Sequence, residues 1–168
     1  MCDDTSGAVD LKTKPHPRVC TECGETTVTP AEIAYDAEVK HDGRLHRFHI
    51  SRLTIDRCQR CGEEFFTNRT DEQITTALRE FLGLLRPQDI RRRLGELGLT
   101  QQTFAERLGV APETVSQWLN GLSIQTRALD NLMRVFFGFA SVRDVLTADG
   151  PTRNLGLLTA ESGVPYER

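Results

Sequence analysis

Two pairs of cysteines in this 168-residue chain have the residue type and spacing of a metal site. They are Cys20-Thr-Glu-Cys23 and Cys58-Gln-Arg-Cys61, with 34 residues between them. Zn²⁺ prefers four soft ligands in a tetrahedron, and each Cys-x-x-Cys loop can supply two thiolates. The glycine after each pair, Gly24 or Gly62, permits the tight turn that aims backbone N–H groups at sulfur. The pattern predicts one structural Zn²⁺ held by Cys20, Cys23, Cys58 and Cys61, without an open position for a substrate.

The alternative interpretation of each pair is a redox dithiol or a disulfide. A thioredoxin-type dithiol needs a cysteine of low pKa at a helix N-terminus within a βαβ unit, and neither pair has that setting. Zinc is therefore the preferred interpretation. Cys2 lies in a polar N-terminal stretch and is interpreted as a free thiol. Because four thiolates fill the site, the histidines are interpreted as surface or strand residues; they are His16, His41, His46 and His49.

The insert between the cysteine pairs is longer than the roughly 15–20 residues of the commonest four-cysteine pattern, so it needs structure of its own. Apolar residues alternate with polar ones from Ile33 to Val39 and recur from Leu45 to Ile55. Asp42-Gly43 between these two runs is a turn sequence. The insert is predicted to form a β-hairpin that brings the two cysteine pairs together.

Composition sets the class of protein. A hydrophobic content of 38% suffices for small cores but not for one large core, and the predicted metal compensates for this in the N-terminal part. The sequence has no apolar run of about 18 residues and no secretory signal pattern. We therefore expect a reducing, cytoplasmic compartment, which favours thiolate–zinc bonds over disulfides.

The net charge of −3 does not by itself indicate a nucleic-acid-binding protein. Residues 1–85 contain 11 Lys/Arg against 15 Asp/Glu, residues 86–146 contain 8 against 6, and residues 147–168 contain 2 against 3. Only the middle segment is positive. Its excess is modest, so DNA affinity would depend on a few placed arginines, on helix N-termini and on dimerisation.

A linker helix is predicted after the cysteine region. Thr70-Asp71-Glu72-Gln73 has the sequence of a capping box, and apolar residues follow at helical spacing from Ile74 to Leu85. We expect this apolar stripe to pack on the neighbouring domain, and a homodimer seam is the alternative. Pro87 is predicted to begin the next helix.

Residues 87–121 have the pattern of three short helices. The first ends at Gly98, the second has Thr100 as its N-cap, and the third runs from Pro112 to Asn120 and is closed by Gly121. Gly109 can adopt positive φ in the sharp turn between the second and third helices, and Ala105 is small enough for their crossing. Val110, Val115 and Trp118 are predicted to face the core. The polar positions of the third helix, which would lie in a DNA major groove, are Glu113, Thr114, Ser116 and Gln117.

These residues carry a resemblance to a known family. Residues 87–146 resemble the helix-turn-helix of the Xre and lambda-repressor family, whose signature is met by Thr100, Gln101, Ala105, Gly109, Val115, Ser116, Trp118 and Gly121. With the cysteine pairs in front, the layout from Cys20 to about Leu146 is similar to MqsA-type antitoxins, which combine a YgiT-type zinc module with an Xre-like domain. That resemblance implies an N-terminal module that holds a ribonuclease toxin, and a C-terminal domain that dimerises and represses its own operon.

The resemblance also implies roles for single residues. The four cysteines would be the zinc ligands, Gln101 would contact a phosphate, and Asn120 would close the recognition helix near the DNA backbone. The base-reading positions fall on Glu113 and Gln117, where the family has Asn and Arg, so the operator should differ. Gln117 could pair with adenine, and Glu113 could accept from cytosine or be solvated. The third helix lacks a Ser or Thr cap before Pro112, which weakens the expected phosphate contact there.

Arginines on the first two helices are further candidates for phosphate contacts. Arg91, Arg92 and Arg93 fan over about 200° of the first helix, so at most two can face DNA, and a solvated face is equally compatible with the rest. Arg107 is a comparable candidate. The predicted DNA-binding set is Gln101, Arg107, Pro112, Glu113, Thr114, Ser116, Gln117 and Asn120.

An aromatic group follows the third helix. Phe136, Phe137 and Phe139 exceed what one small domain usually needs, and we predict that part of this surface is a homodimer contact spacing two recognition helices about 34–36 Å apart. The alternative is that Phe137 and Phe139 cover the domain's own core. The segment from Ser141 to Leu146 is expected to add a short helix.

The sequence thus predicts an α+β protein: a four-cysteine zinc module with a β-hairpin, a linker helix and an all-α five-helix lambda-repressor-like domain. The predicted boundaries are 1–19 for a flexible arm, 20–69 for the zinc module, 70–85 for the linker helix, 86–146 for the DNA-binding domain and 147–168 for a tail. The predicted function is a zinc-containing, operator-binding repressor, of the antitoxin kind by resemblance. A stand-alone Xre-type regulator is the alternative, and a redox or zinc-sensing protein is less favoured. No arrangement of residues typical of a catalytic site is recognisable, so no enzyme is predicted.

Overall fold

The computed structural model describes residues 15–146. The predictions for Cys2, for most of the N-terminal arm and for the tail lie outside the described residues. Within the described range, no helix has both the length and the apolar character needed to cross a membrane.

The N-terminal part is a four-stranded sheet with the strand order β1-β2-β3-β4. Its strands are β1 Arg18–Val19, β2 Thr26–His41, β3 Arg44–Cys58 and β4 Glu64–Phe65. The predicted hairpin is present, and its turn residues Asp42 and Gly43 both have positive φ, 50° and 74°, as a two-residue turn of this hand requires. The two long strands extend further than the runs of alternating apolar and polar residues predicted. β2 begins three residues after Cys23, and β3 ends at Cys58.

The linker helix is present, but its capping box was predicted wrongly. α1 spans Asn68–Phe81 and therefore begins before Thr70. The Thr70 hydroxyl accepts from Thr67 N–H (3.2 Å) and donates to the Thr54 carbonyl (3.1 Å). The Gln73 amide also bonds to the Thr54 backbone, at 3.1 Å in both directions. The two polar side chains attach the helix to β3, because the Thr54 N–H and carbonyl of that strand are available to bond with them. A local sequence pattern cannot reveal such a partner.

Helices make up the rest of the described chain. They are α2 Pro87–Glu96, α3 Gln101–Leu108, α4 Pro112–Leu119, α5 Arg127–Gly138 and α6 Ala140–Val145. Pro87 is the first residue of α2, and Thr100 caps α3 by accepting from Thr103 N–H at 3.1 Å. Gly109 is left-handed at φ 69°. These helix boundaries agree with the sequence patterns to within one or two residues.

The contacts divide the described chain into two units. Residues 15–35 and 49–73 form the first unit, and residues 36–48 and 74–146 form the second. The first unit buries Leu53 and Ile55 together with a small cluster of Cys20, Val28 and Cys58. The second unit has one larger core: Ile90, Leu94, Phe104, Ala105, Leu108, Val115, Trp118, Leu119, Met133 and Phe136.

The aromatic group at the end of α5 is divided between core and surface. Phe136 is fully buried, and Phe137 stacks on Phe104 with ring centroids 5.3 Å apart and an interplanar angle of 14°. Phe139 is 59% exposed. The core alternative is therefore correct for Phe137 and wrong for Phe139.

Candidate metal site and nucleic-acid interface

The four cysteines of the two pairs converge, although 34 residues separate the pairs. Their Sγ atoms all lie within 4.8 Å of one another. Cys20 Sγ is 3.6 Å from Cys61 Sγ, and Cys23 Sγ is 3.6 Å from Cys58 Sγ. A disulfide would bring the sulfurs to about 2.05 Å, so the cysteines are free thiols, positioned where they could bind one metal ion.

Two loops of the same design hold the cysteines. In the first, Gly24 N–H donates to Cys20 O at 3.0 Å and Cys20 N–H donates to Glu25 O at 2.8 Å. The equivalent bonds of the second loop, around Cys58 and Gly62, measure 3.0 and 2.9 Å. Both glycines have positive φ, 74° and 81°, which lets each loop reverse over four residues. Because the hairpin strands adjoin these loops, strand pairing brings the loops together.

The local hydrogen bonds and neighbouring sulfurs give the thiols of the cluster different pKa values. A backbone hydrogen bond from Cys61, followed by one from the Thr27 hydroxyl, lowers the pKa of Cys58 to about 6. A backbone hydrogen bond from Glu63 acts to lower the pKa of Cys61, but the Cys58 sulfur, burial and the other two thiols outweigh it and raise this pKa to about 12. One thiolate therefore opposes ionisation of the next. Four thiolates at these distances need a cation among them.

The donor set fits Zn²⁺. Tetrahedral Zn–S bonds of about 2.3 Å place neighbouring sulfurs about 3.8 Å apart, close to the two distances of 3.6 Å. Thiolates are the soft ligands that zinc favours over Mg²⁺ or Ca²⁺. No histidine belongs to the group of metal-ligating residues found within 15–146. His16 instead lies 3.2 Å from the Val28 carbonyl and 3.5 Å from the Asp56 carboxylate.

Thr27 is a functional residue that the sequence patterns missed. Its hydroxyl lies 3.2 Å from Cys58 Sγ and can donate to the thiolate. Such a donor orients the sulfur and stabilises its charge. Thr26 and Thr27 are adjacent and equivalent in the sequence; only the position of β2 beside the second loop, where Gln59 N–H donates to Thr27 O at 3.1 Å, distinguishes them.

The helix-turn-helix consists of α3, the turn at Gly109 and α4. Ala105 is fully buried, and Val115 and Trp118 of α4 face the core with 0% and 3% exposure. These three side chains fix the inner face of α4. Its other face is therefore the one available to a ligand.

The predicted DNA-binding residues lie on or beside that outer face. Pro112, Glu113, Gln117 and Asn120 are exposed, whereas Thr114 and Ser116 are half-buried. Gln101, the first residue of α3, is exposed. The N-terminus of α4 has no side-chain cap, as the sequence at Ala111-Pro112 predicted. Arg107 is half-buried, and its Nε is buried without a hydrogen-bond partner.

Ion pairs distinguish the three consecutive arginines of α2. Arg92 lies 3.3 Å from Asp89, and Arg93 lies 2.9 Å from Glu96. Arg91 forms no ion pair with any described residue and instead donates to Asn120 Oδ1 at 3.3 Å. Its uncompensated charge lies at the C-terminal end of α4. This identifies Arg91 as the strongest phosphate-contact candidate of the three, which the sequence alone could not decide.

One family model matches this region. Residues 90–137, which run from within α2 to within α5, match the helix-turn-helix family. No curated protein matches the chain.

Proposed function

We propose that the protein is a zinc-containing, sequence-specific DNA-binding transcriptional repressor. The observation that carries the proposal is the family match over residues 90–137, where the core fixes one face of α4 and leaves Glu113 and Gln117 exposed on the other. A helix presented in this way fits the major groove. Gln117 reads bases, while Gln101, Arg107, Asn120 and the newly favoured Arg91 contact phosphates.

The test is a gel-shift titration against the DNA upstream of the protein's own gene, with random DNA as competitor. A retarded band that survives competition is expected of an autoregulating repressor. Glu106→Ala is a suitable control variant, since Glu106 is exposed on α3 and belongs to none of the proposed contacts. Complete competition by random DNA, in protein confirmed to hold one zinc per chain, contradicts regulation of its own operon.

In this proposal the four cysteines hold one Zn²⁺ with a structural role. Four protein ligands close the coordination shell, so the ion stabilises the fold and has no position for a substrate. The support is the grouping of the Sγ atoms within 4.8 Å, together with the raised pKa of Cys61 beside the Cys58 sulfur. Elemental analysis of the purified protein would detect the metal and give its stoichiometry.

We include a homodimer in the proposal. Residues 86–146 have an excess of only two positive charges, so one domain has limited electrostatic affinity for DNA. Val135 is 40% exposed and Phe139 is 59% exposed at the end of α5, which offers an apolar contact for a second copy. Phe139→Ser should raise the dimer dissociation constant at least tenfold in sedimentation equilibrium. An unchanged constant would exclude this face as the contact.

The more specific proposal is that the repressor is the antitoxin of a type II toxin–antitoxin pair. Its support is the order of modules, a four-cysteine unit followed by a helix-turn-helix, which resembles MqsA-type antitoxins. A gene for a small ribonuclease beside this one is expected, and coexpression of the intact chain should restore growth that the ribonuclease blocks. Cys58→Ser should fail to restore growth, and Gln117→Ala should restore it. Absence of such a gene favours the stand-alone Xre-type regulator.

A further inference from the structure

A cleft in the second unit has the composition of a small-molecule site and lies apart from the proposed DNA-binding face. Its volume is about 510 Å³, within the roughly 300–1,000 Å³ range of ligand pockets. Three segments line it: the hairpin tip, the loop after α1 and the first turn of α5. The lining residues are His41, Asp42, Arg44, His46, Leu82, Leu84, Arg127, Ala128 and Asn131.

Hydrogen bonds between the three segments fix the walls of the cleft. Asp42 Oδ2 accepts from Arg127 N–H at 3.1 Å, so the hairpin turn caps the N-terminus of α5. His41 Nε2 lies 3.2 Å from the Gln125 carbonyl. The Arg127 guanidinium donates to the Leu82 carbonyl. The cleft is therefore preformed, which reduces the ordering cost that a ligand would otherwise incur.

The charges on the lining favour an anion. Arg44 and Arg127 lie in the lining with one carboxylate, Asp42, which already accepts from the backbone of α5. Arg127 is also 3.9 Å from the Asp130 carboxylate, so the uncompensated positive charge is that of Arg44. The Arg44 side chain is exposed and makes no ion pair or hydrogen bond with the residues described, so its donors are available. The imidazoles of His41 and His46 and the amide of Asn131 add further polar groups.

The remaining lining is apolar. Leu82 is half-buried and Ala128 is exposed, so both present apolar surface to the cleft, whereas Leu84, at 5% exposure, presents little. A bare inorganic ion would leave this surface in contact with water. A ligand with a compact apolar body would bury it and gain from the burial.

The geometry points to a binding site for a small organic anion, a carboxylate or phosphate ester on a compact apolar body. The anionic group contacts Arg44, with Arg127 also in the lining, and the apolar body lies against Leu82 and Ala128. This site goes beyond the proposed DNA binding, because none of its lining residues belongs to the predicted DNA-binding set.

Isothermal titration of the full chain tests the site with four probes: phenyl phosphate, benzoate, inorganic phosphate and benzyl alcohol. Phenyl phosphate or benzoate should saturate at one site per chain, and whichever binds tighter identifies the anionic group. Inorganic phosphate lacks the apolar body and benzyl alcohol lacks the charge, so each should bind at least about tenfold more weakly.

Two variants and one control locate the binding. Arg44→Ala should weaken the better probe about tenfold or more. Ala128→Leu should weaken binding, because the larger side chain occupies part of the space proposed for the apolar body, while thermal unfolding verifies that the variant remains folded. Arg47→Ala is the matched control, since Arg47 is an exposed arginine of the same hairpin, paired with Glu38 and outside the cleft lining. It should bind as the unmodified chain does.

Three results would overturn the proposal. One is the absence of saturable binding of both organic anions up to about 10 mM. Another is equal affinity for inorganic phosphate and phenyl phosphate, which would reduce the site to general anion attraction. The third is unchanged affinity in both Arg44→Ala and Ala128→Leu, which would place the binding elsewhere.

Discussion

The four-cysteine unit and the helical unit are stabilised in different ways. Around its cysteines the first unit buries one aliphatic residue, Val28, so its local order depends on four sulfurs 3.6–4.8 Å apart. The helical unit spreads its stability over ten buried residues from four helices. A ligand set concentrates stability in a few bonds, whereas a packed core distributes it. Removal of a cysteine should therefore unfold the first unit, and removal of a core side chain should destabilise the second.

The largest effect is expected from removal of one metal ligand. Cys58→Ser should lose zinc and unfold the first unit, because structural zinc contributes about 10–16 kcal/mol in comparable small sites. DNA binding by the full-length variant should be largely retained. The measurements are elemental analysis, proton NMR of the first unit and the gel shift.

Cys2→Ser is the matched control for this prediction, since Cys2 is not one of the four proposed ligands. It should retain zinc and the native spectrum. Loss of DNA binding in soluble Cys58→Ser protein whose helical unit remains folded would show that the two units do not act independently, and the contrast between them would not hold.

The second prediction changes the helical core and leaves the four cysteines intact. Phe104 is fully buried in the helical core, with its ring 5.4 Å from that of Phe136. Phe104→Ala should cost about 3–5 kcal/mol of unfolding free energy through lost burial and the cavity left behind. Circular dichroism at the helix band measures the transition, and zinc content should remain at one per chain. Phe139→Ala, at a 59% exposed position, should cost far less.

Local signals predicted much of both units. The Cys-x-x-Cys spacing identified the four cysteines that group within 4.8 Å, the Asp42-Gly43 pair identified the turn, and Thr100 and Gly109 identified the boundaries of α3. At each of these positions a thiol, a positive φ angle or a helix cap is needed, and few residue types can supply it. The residue type therefore predicts the local structure.

Local sequence patterns could not predict hydrogen bonds and ion pairs between residues that are far apart in the sequence. Thr70 binds the β3 backbone instead of capping α1, and Thr27 bonds to Cys58 sulfur. The favoured role of Arg91 depends on acids that pair with its neighbours. In each case the side chain has several possible partners, and only tertiary packing determines which one it meets.

The third prediction concerns a buried charge within the helical unit. Asp130 is fully buried, and its carboxylate accepts from Leu85 N–H (2.7 Å), Gln125 Nε2 (3.1 Å) and Arg134 Nε (2.7 Å). Asp130→Asn preserves the shape but replaces one acceptor with a donor, which should cost about 3 kcal/mol. Chemical denaturation measures the loss. Asp144→Asn on α6 is the exposed control, and a loss of equal size there would assign the effect to general charge.

The smallest effect, and the most specific, is expected on the outer face of α4. Gln117→Ala removes no core contact, so folding should be unchanged, while the preference for operator over random DNA should fall by about 1–3 kcal/mol. Arg107→Ala and Arg91→Ala should instead weaken binding to both DNAs and each lower the salt slope by about one. Competition gel shifts at several salt concentrations separate the two behaviours. Equal losses on both DNAs for Gln117→Ala would remove it from base reading and leave it a backbone contact.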